Sequence, residues 1–331
     1  MPTDVLSNVL RTVRLTGAVF YYVHAAPPWS ATTFPSHKII PEIMPDAGHL
    51  IPYHVVTEGE CYGTVKGLAP VHMEAGDVIV LPHGDQHVMT SDPAIEPSED
   101  PHPHPPHTQR PFVLKEGPGD QSSKTTLVCG FLGCDARPFN PLISTLPRVM
   151  HVKASTTPKA IWLNHFTSYA AMESKEKRAG GEAVLAQLSE LLFVEVVRIY
   201  LDSLPPEQTG WLAGLRDPYI GQALGLLHER PAHSWGLEEL AHEVGLSRSV
   251  LAERFAHLMG HPPMQYLTQW RMQIASGLLA RGSAKIAQVA AEAGYDSEAA
   301  FSRAFKKFVG VSPQEWRKQK SSLSSPQPER V

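Results

Sequence analysis

Leu240-Ala241-His242-Glu243-Val244-Gly245-Leu246-Ser247 is echoed further along the chain by Val289-Ala290-Ala291-Glu292-Ala293-Gly294-Tyr295-Asp296-Ser297. Around the first stretch, Leu237, Leu240, Ala241 and Val244 have helical spacing, Gly245-Leu246-Ser247 reads as a turn, and Leu251, Phe255 and Leu258 resume the period. Gly245 suits the left-handed conformation that a tight turn needs, and Ser247 is a natural N-cap for the helix that follows. The second copy runs Ile286, Val289, Ala290 and Ala293, then Gly294 to Ser297, then Ala300 or Phe301, Phe305 and Phe308. Gly245 and Gly294 are 49 residues apart, whereas Phe255 and Phe305, like Gly260 and Gly310, are 50 apart. The repeat therefore holds with one residue inserted in the second turn. One helix pair around a glycine is ordinary core structure. Two in register, each followed by matching punctuation (Gly260-His261-Pro262 and Gly310-Val311-Ser312-Pro313), predict a tandem helix-turn-helix.

Between the copies, Pro263 to Arg281 begins with proline at a helix start and is followed by Gly282, with Leu267, Trp270, Ile274 and Leu278 as an apolar stripe. Such a helix is about 27 Å long, comparable to the roughly 34 Å of one turn of B-DNA. The arrangement resembles the C-terminal DNA-binding domain of the AraC/XylS family of bacterial transcription regulators. The resemblance rests on Leu240-Ala241, Val244 to Ser247, Leu251, Phe255, Gly260, Tyr266-Leu267, Arg271, Ile286, Val289-Ala290, Gly294-Tyr295, Phe301, Arg303, Phe305 to Lys307, Gly310 and Pro313. It covers about 100 of the 331 residues. It implies double-stranded promoter DNA as partner, contact with the transcription machinery, and a leaning towards activation.

In a helix-turn-helix the first exposed residues of the second helix reach base edges. In the first copy these are Arg248, Ser249, Ala252 and Glu253; Arg248 suits bidentate guanine recognition and Glu253 could accept from cytosine N4. In the second they are Glu298, Ala299, Ser302 and Arg303, the last falling where the family often places a groove-facing arginine. Ser247 and Ser297, as caps, and Lys306 and Lys307 are the expected phosphate contacts.

The chain as a whole carries a net charge of −4, which does not look like a nucleic-acid binder. Residues 216–320, however, hold 13 Lys and Arg against 10 Asp and Glu, a balance of +3, while residues 1–215 hold 15 against 22, a balance of −7. Phosphate contacts must therefore come from local clusters such as Arg303, Lys306, Lys307, Arg317 and Lys318, and binding should be salt-sensitive. Cys61, Cys129 and Cys134 are too few and odd in number for a disulfide scaffold. Asp4, Arg11 and Arg14 interrupt any apolar leader, and no run approaches 18 apolar residues. The expectation is a bacterial cytoplasmic protein, at the nucleoid when bound to DNA, with no membrane segment.

Residues 4–14 have near-helical spacing. From Leu15 to about Val152 the grammar changes to short apolar runs at 17–23, 38–44, 50–57, 63–65, 77–81 and 125–131, broken by Pro, Gly and Asp, which predicts a sandwich or barrel. Gly76 to His87 has the spacing glycine, five residues, proline, one residue, glycine, two residues, histidine, and Val55 to Glu60 resembles the strand-turn that closes a first such motif. Together they resemble a cupin sensor domain of the kind found at the N-terminus of many AraC-type regulators. The fold class is thus α+β and multidomain, an N-terminal cupin β-barrel followed by an all-α tandem helix-turn-helix domain. The resemblance implies an unknown small-molecule effector.

Cupin enzymes usually bind metal through a His-x-His pair, a Glu and a later His. Here Pro52 occupies the Glu position and the His pair falls near Asp46 to Gly48, so the standard quartet is missing. His54, His87, Cys129 and Cys134 could make a different zinc site, since zinc accepts mixed His and Cys ligands. The competing readings are two buried hydrophobic cysteines with two hydrogen-bonded histidines, or a redox sensor built on the cysteines. A cupin metalloenzyme, dioxygenase-like, fused to a DNA-binding module is the functional alternative; a purely oligomerising barrel is a third.

Residues 92–122, with His102, His104 and His107 among prolines, predict an extended loop. Residues 156–215 form a connector containing a long amphipathic helix over 182–204, whose apolar face must bury itself on the barrel or on a second copy; the resemblance favours a homodimer. The expected partition is 1–155 sensor, 156–215 connector, 216–320 DNA-binding domain and 321–331 disordered tail.

Overall fold

The computed structural model describes residues 4–97, 112–117, 124–135, 138–154, 161–176, 178–282 and 284–323. Its contacts divide the chain into two units, one of Leu15–Cys134 with Leu146–Ser203, the other of Met1–Arg14 with Asp135–Thr145 and Leu204–Val331. The expected contiguous boundary at residue 155 is therefore corrected. The first helix, α1 (Val5–Thr12), and the segment after the last long barrel strand pack with the helical unit. Sequence order does not reveal this, because a helix of two turns carries no mark of its packing partner.

Among the described residues the barrel unit holds ten strands: β1 (Thr16–Ala25), β2 (Ser30–Thr33), β3 (His49–Glu58), β4 (Glu60–Val65), β5 (Val71–Glu74), β6 (Val78–Val80), β7 (His87–Thr90), β8 (Phe112–Glu116), β9 (Thr125–Cys134) and β10 (Met150–Val152). They form a six-stranded sheet in the order β10-β6-β3-β9-β1-β8 and a four-stranded sheet in the order β2-β7-β4-β5. All neighbours are antiparallel except β1 and β8. Alternation sends Leu50 and Val56 of β3, Leu127, Cys129 and Phe131 of β9, and Tyr21, Val23 and Ala25 of β1 into one core with Cys61, Met73 and Met89 of the smaller sheet.

The run at 38–44 is not a strand. It lies in α2 (Ser36–Ile43), where buried Ser36, Ile39 and Ile43 recur at helical intervals. Pro41 cannot donate to a strand ladder, and here it costs one helical bond instead. The expected loop at 92–122 contains β8; its histidines lie outside the described residues. The last strand, β10, falls inside the expected sensor and pairs with β6, and the expected connector contains α3 (Ile161–Glu176).

The long helix α4 (Gly181–Ser203) covers the outer face of the larger sheet with Leu185, Ser189, Leu192, Phe193, Val196 and Val197. Tyr53 Oη and Ser189 Oγ lie 2.6 Å apart across that seam. The approach is close enough that a Cβ at Gly17 would stand 2.4 Å from the Ala186 carbonyl oxygen, so only glycine fits there. The helix therefore spends its apolar face on its own barrel.

In the helical unit follow α5 (Trp211–Arg216), α6 (Pro218–Glu229), α7 (Leu237–Glu243), α8 (Arg248–Met259), α9 (Pro263–Ala280), α10 (Ile286–Glu292), α11 (Glu298–Val309) and α12 (Pro313–Leu323). Helix α12 runs through the first residues of the expected disordered tail; residues 324–331 lie outside the described part. Helix α1 packs on α6 and α9. Arg14, at φ 54°, ends that arm by a two-pronged pair with the buried Asp135 carboxylate, Nε to Oδ2 at 2.7 Å and Nη2 to Oδ1 at 2.8 Å.

A buried polar chain ties these elements together. Trp211 Nε1 donates to Tyr266 Oη at 2.9 Å, Tyr266 Oη lies 2.6 Å from His228 Nε2, and His228 Nδ1 lies 3.3 Å from Asn8 Oδ1. The directions follow from the inventory of protons: the Tyr266 hydroxyl donates to Nε2, which leaves the His228 proton on Nδ1 for Asn8. The ring also stacks on Trp270 at 4.1 Å, and burial pushes its pKa down to about 3.

Two outcomes are expected. Arg14→Ala leaves the Asp135 carboxylate short of its partner and should lower the unfolding free energy of the helical unit by about 1–3 kcal/mol in urea titrations. His228 takes up a proton near pH 6.5 when unfolded but resists it down to about 3 when folded. Its contribution is therefore full above pH 6.5 and lost as pH falls below it, by up to about 1.4 kcal/mol per pH unit. Melting curves from pH 7 to 4 should show a slope that His228→Gln reduces.

Candidate functional site

Each helix pair is set by the same local chemistry. Gly245 and Gly294 both have φ +75°, the left-handed turn conformation. Ser247 accepts from Val250 N at 3.3 Å and Ser297 from Ala300 N at 3.2 Å, so each second helix begins on a serine cap. Gly260 and Gly310 end the same helices at φ 76° and 92°. Leu251 and Phe255 of α8, and Phe301 and Phe305 of α11, are fully buried one turn apart. Each contributes about 1.5–3 kcal/mol and fixes the rotation of its helix.

That rotation decides which residues face solvent. Arg248, Ser249 and Glu253 on α8, and Glu298, Ala299, Arg303, Lys306 and Lys307 on α11, are exposed, as are the caps Ser247 and Ser297; Ala252 and Ser302 are half-buried. Arg317 differs from expectation, because its guanidinium donates to the Ala284 carbonyl and so helps close α12 onto the start of α10. Two surface residues escaped the sequence reading. Val250, on the solvent side of α8, is 46% exposed, and Lys285 is exposed at the N-cap of α10. Val250 looks like core by residue type. Its position immediately before Leu251, a rotation of about 100° on the helix, was the available signal.

In the first pair Arg254 turns away from this surface. It holds the Asp217 carboxylate with Nε at 2.7 Å, and Asp217 caps α6 through Tyr219 N and Ile220 N, each at 3.0 Å. The exposed cations are thus Arg248 on α8 and Arg303, Lys306 and Lys307 on α11.

In the barrel, His54 and His87 are brought together, Nε2 to Nε2 at 2.6 Å. His87 Nδ1 lies 2.9 Å from the Asp85 carbonyl, which only a protonated Nδ1 can satisfy, so His87 Nε2 carries a lone pair and His54 donates to it. His54 Nδ1 is then a lone pair, buried and without a partner. Burial holds both rings neutral, His87 at about 4 and His54 well below its ordinary value.

Cys129 lies directly across from His54 in the β3–β9 register, on the same face. Cys134, five residues further along the strand, has the opposite parity and stands about 16 Å away. The four-ligand set of His54, His87, Cys129 and Cys134 is therefore not assembled. Among the described residues no three His, Cys, Asp or Glu side chains are gathered closely enough to hold an ion. Nor does a carboxylate take the place of Pro52. Asp77, the buried acid nearest in sequence, is occupied by His151 Nε2 at 3.0 Å and Ala154 N at 2.9 Å. The cupin enzyme's carboxylate-bearing metal set does not fit this interior.

Comparison with known proteins agrees with both halves. A cupin family model matches residues 4–202 and a helix-turn-helix domain model residues 240–319. A putative AraC-like transcription regulator of Streptomyces lividans is 32% identical over 283 residues, which cover 82% of this chain and 88% of the relative. The HTH-type transcriptional regulator AlkR of Acinetobacter baylyi is 27% identical over 323 residues, 96% of this chain and 99% of the relative. The DNA-binding domain of AdpA, solved in complex with a target DNA, is 27% identical, spans 33% of this chain and 96% of its own, and gives a TM-score of 0.31. The Streptomyces and Acinetobacter relatives are named as transcription regulators, and the metalloenzyme alternative gives way to them. The chain belongs to the AraC-type transcription regulators with an N-terminal cupin domain, and it is not an enzyme.

Proposed function

We propose that the protein binds promoter DNA with α8 and α11 in successive major grooves and responds to a small-molecule effector through the cupin domain. The observation that carries this reading is the pair of serine-capped helices with solvent-facing Arg248 and Arg303, joined by the 18-residue helix α9. Arg248, Ser249, Ala252 and Glu253, and Glu298, Ala299 and Arg303, are the base-reading positions; Val250 joins them as an apolar contact for a thymine methyl. Ser247, Ser297, Lys306 and Lys307 hold phosphates. The resemblance to the family favours activation through contact with the transcription machinery.

We also infer a homodimer formed by the outer side of α3 and α4. Leu191 is 47% exposed on α4 while its neighbours Leu192 and Phe193 are buried, and Tyr169 and Met172, one turn apart on α3, are each 40% exposed. Leu191→Glu should shift the elution of the protein from dimer to monomer in size-exclusion chromatography with light scattering. An unchanged dimer would place the interface elsewhere.

For DNA, operator fragments selected from random sequence supply the test. Arg303→Ala should weaken the selected site by about 1–3 kcal/mol and relax one base position, whereas Lys306→Ala should weaken all sequences alike and lower the salt dependence by about one ion. A uniform loss with Arg303→Ala would assign that residue to phosphate instead.

A further inference from the structure

The two helix pairs obey the same local rules, yet one position breaks their equivalence. Gly245 and Gly294 share a φ of +75°, so each turn asks for glycine on its own account. A Cβ at Gly245 would meet nothing within 4 Å. At Gly294 it would stand 2.7 Å from Ala232 Cα, 2.8 Å from the Ala232 carbonyl oxygen and 2.9 Å from Arg271 Nη2. The segment that leads into α7, the first helix of the first pair, is therefore laid directly on the turn of the second pair.

Arg271, midway along α9, holds it there. Its Nε donates to the Pro231 carbonyl at 2.7 Å and its Nη2 to the His233 carbonyl at 2.8 Å, so two prongs grip the backbone on either side of Ala232. The guanidinium carbon lies 6.0 Å from the centre of the Tyr295 ring, the residue after Gly294. A planar fork makes this grip, and a lysine ammonium, a single point of charge, does not reproduce it. The segment that is held is itself braced. Trp235 is buried, its Nε1 donates to the Arg230 carbonyl at 3.1 Å, and the Arg230 guanidinium sits over its ring at 4.6 Å. His233 Nε2 donates to Glu239 Oε1 of α7 at 2.8 Å. A shift at Ala232 is thus passed to α7 and to α8 behind it.

A rod that enters the core of each pair sets how far apart the pairs stand. A second tie between them, away from the axis of the rod, restrains their rotation about it as well. On DNA that rotation counts, because each added base pair moves the next groove by about 3.4 Å and turns it by roughly 34°. We propose that Arg271 is a specificity-determining positioning residue: by clamping residues 231–233 onto the Gly294 turn it fixes the angle between α8 and α11, and with it the spacing of the two DNA segments that the protein accepts. The inference rests on the reading of α8 and α11 as the helices that enter successive major grooves. Two linked modules gain about 10²–10⁴-fold in affinity when both engage, and lose that gain where the geometry forbids it. A clamped pair confines the gain to one spacing, and an unclamped pair spreads it over several.

The test uses the full-length chain and duplexes that carry one operator selected from random sequence, with one base pair added or removed between the two contacted segments. The readout is the ratio of affinities between matched and altered spacing, measured separately for each protein. A variant that is merely less stable loses affinity on every duplex alike and leaves this ratio unmoved. The ratio should be about 100-fold or more for the unmodified chain and below about 10-fold for Arg271→Ala. Arg271→Lys keeps the charge and the aliphatic stem but not the fork; it should show the same loss of strictness and serves where the alanine variant does not fold. An unmodified chain that accepts altered spacing within about 10-fold overturns the proposal without reliance on any variant. An undiminished ratio in the folded variants overturns it too and leaves the two-groove reading intact. A selected operator with a single contacted segment overturns that reading, and this inference with it.

Discussion

Helix α9 is buried along nearly its whole length, and both helix pairs take their positions from it. Tyr266, Leu267, Trp270, Met272, Ala275 and Leu279 are all inaccessible or nearly so. Towards its C-terminal end Met272, Ala275 and Leu279 form one core with Ile286, Val289 and Ala290 of α10 and Phe301 and Phe305 of α11. Towards its N-terminal end Tyr266 meets Phe255 of α8 edge-on, with ring centroids 5.9 Å apart. A rigid rod sealed into two separate cores fixes the separation of the helices that bear Arg248 and Arg303. Packing of this density transmits strain and does not absorb it.

The same rod receives elements from far away in sequence. Asn8 of α1 completes the polar chain through His228 to Tyr266, and Gln273 Oε1 accepts from Phe139 N at 3.0 Å. Segments that lie before and after the long strands of the barrel in the chain are therefore structural parts of the DNA-binding unit. The energetic reason is plain: a buried imidazole and a buried amide need partners, and α5 to α12 do not supply all of them.

In the barrel, the polar centre is small and confined. Two neutral imidazoles share one proton among sulfur-bearing and aliphatic side chains, while the acids keep to the edges, Asp77 with His151 and Glu173 with Arg178. Among its described residues the barrel of this regulator therefore lacks the three-histidine, one-carboxylate set that the cupin enzymes use.

The tandem motif was legible because its rules are local. A positive-φ glycine, a serine cap and apolar residues one turn apart each declare themselves within a dozen residues, and the glycines, the caps, Leu251, Phe255, Phe301 and Phe305 stand where the spacing put them; Phe308, expected on the same stripe, is exposed. The cupin motif was legible in the same way, through Gly76, Pro82, Gly84 and His87. The helix at Ser36–Ile43 was not, because two adjacent isoleucines suit either period and only the direction of the core selects one. Cys61 and Cys129 could not be associated, nor Cys134 set apart, until strand parity and sheet order were known. The sequence by itself determined the two kinds of fold and most of the exposed faces of α8 and α11. Only the tertiary structure decided which distant residues share an interior, because facing across a barrel and docking onto a helix depend on the path of the whole chain and leave no periodic mark in any one segment.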